Sequence, residues 1–111
     1  MMEAVSLSNR LQTVADMVTG RRVADIGCDH GFVSIYLVQA KKADHVLAAD
    51  VRPGPLSRAQ QHIKEVQLTP YIETRLSDGL AGVTPEDRVD TVILAGRVVH
   101  PSGIALVFGA E

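Results

Sequence analysis

Hydrophobic residues near the start of the chain recur every three or four positions, which is the spacing of one face of a helix. They are Leu7, Leu11, Val14, Ala15 and Val18. Ser6 or Ser8 is suited to cap the first turn, and Gly20 is placed to end the helix. The pattern predicts an amphipathic N-terminal helix within residues 1–20.

Beyond this helix, short runs of β-branched and aliphatic residues alternate with segments of helical pattern. Strands are predicted at residues 22–26, 46–50, 71–76 and 89–95, with a fifth at 104–108. Helices are predicted at 32–40 and after a turn formed by Pro53, Gly54 and Pro55, with Pro55 at the first helical position. The alternation favours right-handed βαβ units in an α/β, Rossmann-like fold with a doubly wound parallel sheet.

Composition limits the possible classes of protein. The 111 residues suffice for one domain, residues 1–111, and with 46% hydrophobic and 4% aromatic residues its core would be mainly aliphatic. The net charge of -2 provides no overall attraction for nucleic acid. Cys28 is the single cysteine, and His45, His62 and His100 lack metal-site spacing, so no metal is expected. Without an apolar leader or membrane-length run, the prediction is a cytoplasmic protein that binds no membrane.

Residues 23–31 have the pattern of a buried strand that ends in a glycine-bounded turn before a helix, where α/β proteins bind nucleotides. Gly27 and Gly31 are four residues apart, and Asp29 occupies the position of the second glycine in a dinucleotide-binding turn. Such turns hold phosphate through N–H groups and the positive end of a helix, so the Asp29 carboxylate would repel a pyrophosphate. A cationic adenine cofactor without phosphate fits better, and S-adenosyl-L-methionine meets that description.

Acidic residues end or closely follow three consecutive predicted strands. Asp50 ends the second strand, roughly 20 residues beyond the turn, where a carboxylate can accept both ribose hydroxyl hydrogens of an adenosine. Asp78, followed by Gly79, comes after the third strand, where a carboxylate can reach the exocyclic amine of adenine. Asp25 or Asp29 can balance the methionine ammonium. Together these residues describe a negatively charged cradle for a cationic nucleoside.

Each feature alone also has a structural explanation. Aspartates at strand ends commonly cap turns, and the two glycines can serve only a tight turn. Cys28 is interpreted as a small buried residue rather than a catalytic thiol, whereas His30 either caps the following helix or contacts the ligand carboxylate. Small groups of basic residues either face solvent or contact phosphate. They are Arg10, Arg21, Arg22, Lys41, Lys42, Arg52, Arg58 and Arg97.

Five motifs between residues 7 and 96 carry a resemblance to a known family. They lie at 7–11 with Val14 and Ala15, at 23–30, at 54–55, at 77–80 and at 90–96. With these motifs the sequence resembles class I S-adenosylmethionine-dependent methyltransferases. More narrowly, it resembles the TrmK family of bacterial tRNA (adenine-22-N1)-methyltransferases. The Asp-His pair in the turn and the Leu-Ser-x-Arg-Leu opening are the most specific of these matches.

The resemblance implies a role for each matching residue. For the cofactor, it assigns Asp25, Gly27, Asp29, His30 and Gly31 to the methionine part, Asp50 to the ribose, and Asp78, Gly79 and Leu80 to the adenine, with Gly96 at the same sheet edge. Asn9 and Arg10 would lie near the mouth of the site and contact the tRNA substrate. The acceptor, N1 of adenine, carries its own lone pair, so the reaction demands no strong general base. No catalytic residue is assigned.

The sequence departs from the family pattern after Gly96. The family continues with Met-Gly-Gly and further strands, whereas this chain reads Arg-Val-Val-His-Pro at 97–101 and ends at Glu111. The difference predicts an atypical tail at 97–111, a truncated product and a sheet incomplete on its C-terminal side. Self-association through the exposed sheet edge is a further expectation. Weak cofactor binding and little or no methyl transfer are expected of this chain.

Two other functional classes remain open. A nicotinamide-dependent oxidoreductase could use the same fold and Asp50, although Asp29 and the missing third glycine argue against it. A non-catalytic, cofactor-binding remnant is the second alternative, motivated by the residues from Arg97 onward.

Overall fold

The computed structural model describes residues 6–18, 20–94 and 97–99. Within these ranges the helices are α1 (Asn9–Asp16), α2 (Phe32–Gln39) and α3 (Pro53–Glu65). The strands are β1 (Arg22–Ile26), β2 (His45–Asp50), β3 (Ile72–Leu76), β4 (Thr91–Leu94) and β5 (Arg97–Val99). Two short 3₁₀ helices, Gly79–Gly82 and Pro85–Asp87, lie between β3 and β4.

The strands form one sheet in the order β3-β2-β1-β4-β5. The first four run parallel, which confirms the predicted Rossmann-like α/β fold, and β5 pairs antiparallel with β4. In the register, Ile26 lies opposite Ala49 and Leu94, and Asp50 lies opposite Leu76. The carboxyl ends of all four parallel strands therefore meet at one edge of the sheet.

Both faces of the sheet are covered, as expected for a parallel sheet. β1 and β2 are buried from their second residue onward, and α2, which is apolar nearly all round, packs on one face with α1 and α3. On the other face, Leu80 and Val83 from the first 3₁₀ segment and its end pack with Leu47 and Val92. The two layers hold β1 and β2 rigidly, and these strands position the edge described below.

The predicted helix boundaries were wrong at two points. Ser8 caps α1 by accepting a hydrogen bond from the Leu11 N–H, but the helix ends at Asp16 rather than near Gly20. Its end tightens because the Met17 and Val18 N–H groups bond to carbonyls three residues back. The bounds of β3 and β4 fall within one or two residues of the prediction wherever the chain is described.

The predicted Pro-Gly-Pro turn belongs to a helix. α3 begins at Pro53, so Pro53 takes the first helical position and Pro55 the third. N–H groups in the first turn of a helix have no intrahelical partner, so a proline there loses no hydrogen bond. The predicted strand at 104–108, Gly96 and His100 lie outside the described residues. Self-association through a sheet edge stays a prediction, and β5 lies beside β4 at one side of the sheet.

Candidate functional site

The residues after β1 form a tight turn that is tied to the neighbouring strand. The N–H groups of Gly27 and Cys28 both donate to the Ala49 carbonyl, at 2.8 and 2.9 Å. Gly27, Asp29 and Gly31 have φ angles of 78°, 55° and 83°, in the left-handed region. Three such residues within five positions turn the backbone sharply, and the Asp29 N–H donates to Asp50 Oδ2 at the end of β2.

Gly31 is required where the turn enters α2. A Cβ on this residue would lie 3.1 Å from the Cβ of Ala59 on α3, on a backbone that L side chains rarely adopt. Gly31 is also the N-cap residue of α2, so the interpretation of His30 as the cap is wrong. The His30 ring instead lies partly exposed, with its Nε2 3.8 Å from Asp29 Oδ1.

Asp50, at the end of β2, is held in one orientation by its surroundings. Its side chain is only 2% exposed. Oδ2 accepts from the Asp29 N–H at 3.0 Å, and Oδ1 accepts from the Arg52 N–H at 3.0 Å. The Arg52 guanidinium adds two bonds, both 3.1 Å long. Burial opposes ionisation, but these donors outweigh it and hold the pKa of Asp50 below its ordinary value.

Asp25 is a second buried carboxylate, located inside β1. It is 4% exposed, and Ser34 Oγ donates to its Oδ2 at 2.8 Å. Burial raises the pKa of Asp25 to about 6, against the opposing bond from Ser34 and with a further contribution from the negative charge of Asp50. The sequence could not choose between Asp25 and Asp29 as the partner of an ammonium group. Asp25 is buried inside β1 and Asp29 is exposed in the turn, so both stay candidates.

A pocket of about 380 Å³ opens beside the turn. Its predicted site residues are Arg10, Asp25, Gly27, Asp29 and His30, and its remaining lining residues are Leu11, Val14, Cys28, Phe32, Val33 and Ile93. The lining thus combines two acidic side chains, an arginine and a histidine with apolar residues, a mixture that ligand sites commonly show. Asn9 is exposed at the start of α1 and does not line this pocket.

The residues predicted to bind adenine lie at the same edge but outside the pocket. The Ser77 N–H donates to the Asp50 carbonyl at 3.0 Å, which ties the end of β3 to the end of β2. Asp78 is exposed at the N-terminus of the 3₁₀ helix that contains Gly79 and Leu80, and Leu80 is buried. The residues predicted to bind the methionine part thus line or adjoin the pocket, whereas Asp78 and Gly79 lie outside it and Leu80 is buried.

Sequence reasoning missed two contacts of this site. Ser34, on α2, is the partner of Asp25, and Arg52 binds Asp50. The only available signal for Arg52 was its position two residues after the strand-end acid. The interpretation of Cys28 as a buried residue is confirmed, since it is 6% exposed. Burial and the nearby acids raise the pKa of its thiol to about 12, so it stays protonated.

Ring side chains adjoin the pocket where α2 and α3 meet. Phe32 and His62 stack with centroids 4.8 Å apart, and the His30 ring lies edge-on to both. His62 Nδ1 lies 2.8 Å from the His30 carbonyl oxygen. His62 and His45 are half-buried rather than fully exposed.

The described residues offer neither a metal-ion cluster nor a helix that could cross a membrane. Residues 6–18, 20–94 and 97–99 contain no group of three or more histidine, cysteine or acidic side chains arranged to hold a metal ion. In the same part of the chain, every helix is too short or too polar to cross a membrane.

A four-stranded parallel sheet with an acidic turn beyond β1 and a buried acid at the end of β2 is the architecture of a Rossmann-like methyltransferase domain. The family model for the methyltransferase domain matches residues 7–97. The chain belongs to this family.

Similarity to individual proteins identifies a narrower family within the methyltransferases. The chain is 35% identical to tRNA (adenine(22)-N(1))-methyltransferase of Bacillus subtilis over 86% of its length, and it spans 40% of that protein. The structure of the B. subtilis m1A22 tRNA methyltransferase TrmK superposes with a TM-score of 0.74 and 34% identity, over 79% of this chain and 38% of that one. These matches confirm the resemblance to the TrmK family.

A relative with a bound ligand is also similar. TrmK of M. capricolum, solved in complex with S-adenosylhomocysteine, has a TM-score of 0.65 and 41% sequence identity. The match covers 67% of this chain and 33% of that one.

Proposed function

We propose that this chain binds S-adenosyl-L-methionine at the carboxyl edge of its sheet and serves the methylation of N1 of adenine 22 in tRNA. The observation that carries the proposal is Asp50. It is a buried carboxylate whose acceptor atoms are oriented by two backbone N–H groups, next to a turn whose own side chain is acidic. Such a group suits two hydroxyl donors and disfavours a phosphate.

The cofactor would lie along the carboxyl edge of the sheet, from the pocket to the residues that follow β3. Its methionine part would occupy the pocket, where Asp25 and Asp29 balance the ammonium and where Gly27, His30 and Gly31 shape the turn. Its ribose would lie on Asp50. Its adenine would lie beside Asp78, Gly79 and Leu80, with the exposed Asp78 carboxylate available to the exocyclic amine. The order of these subsites follows the order of β1, β2 and β3 in the sheet.

S-adenosylmethionine supplies a methyl group on a sulfonium, and N1 of adenine accepts it with its own lone pair. The protein therefore has to align two atoms rather than remove a proton, and proximity supplies much of the rate. N1 lies on the Watson–Crick edge, so the target base must be unpaired or flipped out. The methylated base gains positive charge, which a nearby carboxylate would favour.

The tRNA substrate is proposed from the names of the relatives and from the position of Arg10. This arginine lines the pocket, at the start of α1, where a phosphate near the target base could reach it. Asn9, the neighbouring residue, is exposed on the same helix. We propose a single cofactor-binding domain, residues 1–111, acting in the cytoplasm where tRNA is modified.

Calorimetric titration of the chain with S-adenosylmethionine and with NAD tests the cofactor. Binding of the former with clear preference is expected, and preference for NAD would refute the proposal. Transfer of radiolabelled methyl groups to unmodified bacterial tRNA tests the substrate. N1-methyladenosine as the product would establish it, whereas a chain that binds the cofactor and methylates no tRNA would restrict the function to cofactor binding.

A further inference from the structure

The Arg52 side chain lies on Asp50 where the proposed function places a ribose. Its Nε is 3.1 Å from Oδ1, and its Nη2 is 3.1 Å from Oδ2. The same Nη2 is 3.6 Å from Asp29 Oδ1. The guanidinium therefore spans the gap between the acidic turn and the end of β2, across the path that a ligand reaching from the pocket to the ribose subsite would follow.

The four acceptor positions of the Asp50 carboxylate are all in use. A carboxylate offers about four lone-pair directions, and Asp50 accepts from the Asp29 N–H, the Arg52 N–H and two guanidinium N–H groups. The two backbone donors are fixed by the turn and by the start of α3. Only the two side-chain bonds can be exchanged, so a ligand that binds Asp50 through two hydroxyls has to take the place of the guanidinium.

The Arg52 guanidinium is accessible enough to be displaced. Its two bonds to Asp50 are both 3.1 Å long. The Arg52 side chain is 58% exposed, so water competes for it, while Asp50 is 2% exposed and stays in place. Displacement therefore costs little and leaves the oriented carboxylate behind.

We infer that Arg52 is a built-in competitor for the ribose subsite. Its Nε–H and Nη2–H present two parallel donors, as a vicinal diol does, and they keep the buried carboxylate paired until a diol-bearing nucleoside replaces them. Arg52 thereby lowers the affinity for nucleosides that bind Asp50 through a diol, and it keeps off Asp50 those that lack one hydroxyl, because a single donor cannot replace two. This inference rests on the proposed function, since it takes Asp50 as the ribose partner.

The test compares Arg52→Ala with the wild-type chain by calorimetric titration with S-adenosylhomocysteine, which lacks the sulfonium charge. The alanine variant keeps the backbone N–H on Asp50 and loses the guanidinium. Because the Arg52 side chain is largely exposed, we expect the affinity to rise by about fivefold. The matched control is Arg58→Ala, which removes the same charge from an exposed position on the same helix and should change the affinity by less than about twofold.

The 2′,3′-dideoxy analogue of S-adenosylhomocysteine supplies the second arm. Since it has no diol to place on Asp50, its affinity should be equal for the wild type and Arg52→Ala. Equal or weaker binding of S-adenosylhomocysteine by Arg52→Ala would overturn the competitor role and leave the cofactor site standing. A failure of both proteins to bind S-adenosylhomocysteine at all would overturn the proposed function and the inference with it.

A spectroscopic readout follows Arg52 directly. In ¹⁵N-edited spectra of the wild type, the Arg52 Nε–H signal should move and exchange faster with water when S-adenosylhomocysteine binds. An Nε–H signal unchanged at saturation would show that the guanidinium stays on Asp50, and would contradict the inference.

Discussion

Both edges of the sheet carry an arginine–aspartate pair, and the two pairs differ in burial. At the amino edge, Arg21 Nη2 lies 2.6 Å from Asp44 Oδ1, with the side chains 66% and 61% exposed. At the carboxyl edge, Arg52 pairs with Asp50, and here the carboxylate is 2% exposed. The Arg21–Asp44 pair is an exposed salt bridge between the segments that precede β1 and β2. The second presents a carboxylate that the backbone has already oriented, which is what a binding site requires.

The edge with the buried carboxylate does not have the larger cavity. The amino edge has the larger cavity, about 600 Å³, against about 380 Å³ at the carboxyl edge. Its lining includes Val38, Ala43, Leu68 and Tyr71, together with the charged Arg21, Lys41 and Asp44. The smaller cavity is lined by the buried Asp25 and by Gly27 and Asp29 of the left-handed turn. Oriented polar groups, rather than volume, mark the site in this fold.

The largest effect is expected from Asp50→Ala. It removes both acceptors for the ribose, and hydrogen bonds to a charged group contribute about 1.5–3 kcal/mol each, so affinity for S-adenosylhomocysteine should fall at least about 100-fold. Asp44→Ala at the amino edge is the control and should bind as the wild type does. Calorimetric titration measures both, and a loss of the same size in the two variants would remove the distinction between the edges.

Asp25 predicts a dependence of stability on pH. Burial raises its pKa to about 6 from 3.8, so the folded state holds this proton more tightly than the unfolded state does. The free energy of unfolding should therefore fall as pH rises from about 4 to about 6, by about 3 kcal/mol in total. Asp25→Asn should lack this loss. Urea titrations across the range measure the difference, and parallel curves for the two proteins would disprove it.

Gly20, at the amino edge, and Gly27, at the carboxyl edge, should lose different amounts of stability when replaced by alanine. Gly20 has φ 106°, and a Cβ there would overlap the Asp90 carboxylate that accepts the Arg21 and Arg22 N–H groups. Gly20→Ala should lower the free energy of unfolding by about 2 kcal/mol and leave cofactor affinity unchanged. Gly27, with φ 78°, has open space around it. Gly27→Ala should cost about 1 kcal/mol of stability.

Affinity for S-adenosylhomocysteine should distinguish Gly20→Ala from Gly27→Ala more clearly than stability does. The open space around Gly27 is where the ligand would approach the backbone, so Gly27→Ala should weaken S-adenosylhomocysteine binding. Denaturant unfolding and calorimetric titration of each variant give both quantities. Weaker binding by Gly20→Ala, with Gly27→Ala unaffected, would reverse the assignment of the edges.

The smallest effect is expected from Arg21→Ala. Both members of its ion pair are exposed, so the melting temperature should fall by about 3 °C or less, and added salt should abolish the difference. Binding of S-adenosylhomocysteine should not change. A larger, salt-independent fall would show that the amino-edge pair stabilises the fold more than its exposure implies.

The strand-end acid was predictable because the hydrophobic run of β2 ends abruptly at Asp50, and the glycine turn because its residues permit left-handed backbone. The end of α1 and the partners of the two buried acids were not predictable, because they depend on contacts between residues distant in sequence or on side-chain conformation. α1 stops early, and the left-handed Gly20 backbone lies against Asp90, which is distant in sequence. The buried Asp25 is hydrogen-bonded by Ser34 from the next helix, and the contact of Arg52 depends on a side-chain conformation. Neither of these contacts has a sequence pattern.

The carboxyl edge, and not the larger cavity at the amino edge, is proposed to bind the nucleoside. Titration of the ¹⁵N-labelled chain with S-adenosylhomocysteine distinguishes the two edges. We expect amide shifts at residues 27–31, 50–52 and 77–80, with none near Arg21, Asp44 and Tyr71. Shifts confined to the amino edge would contradict it.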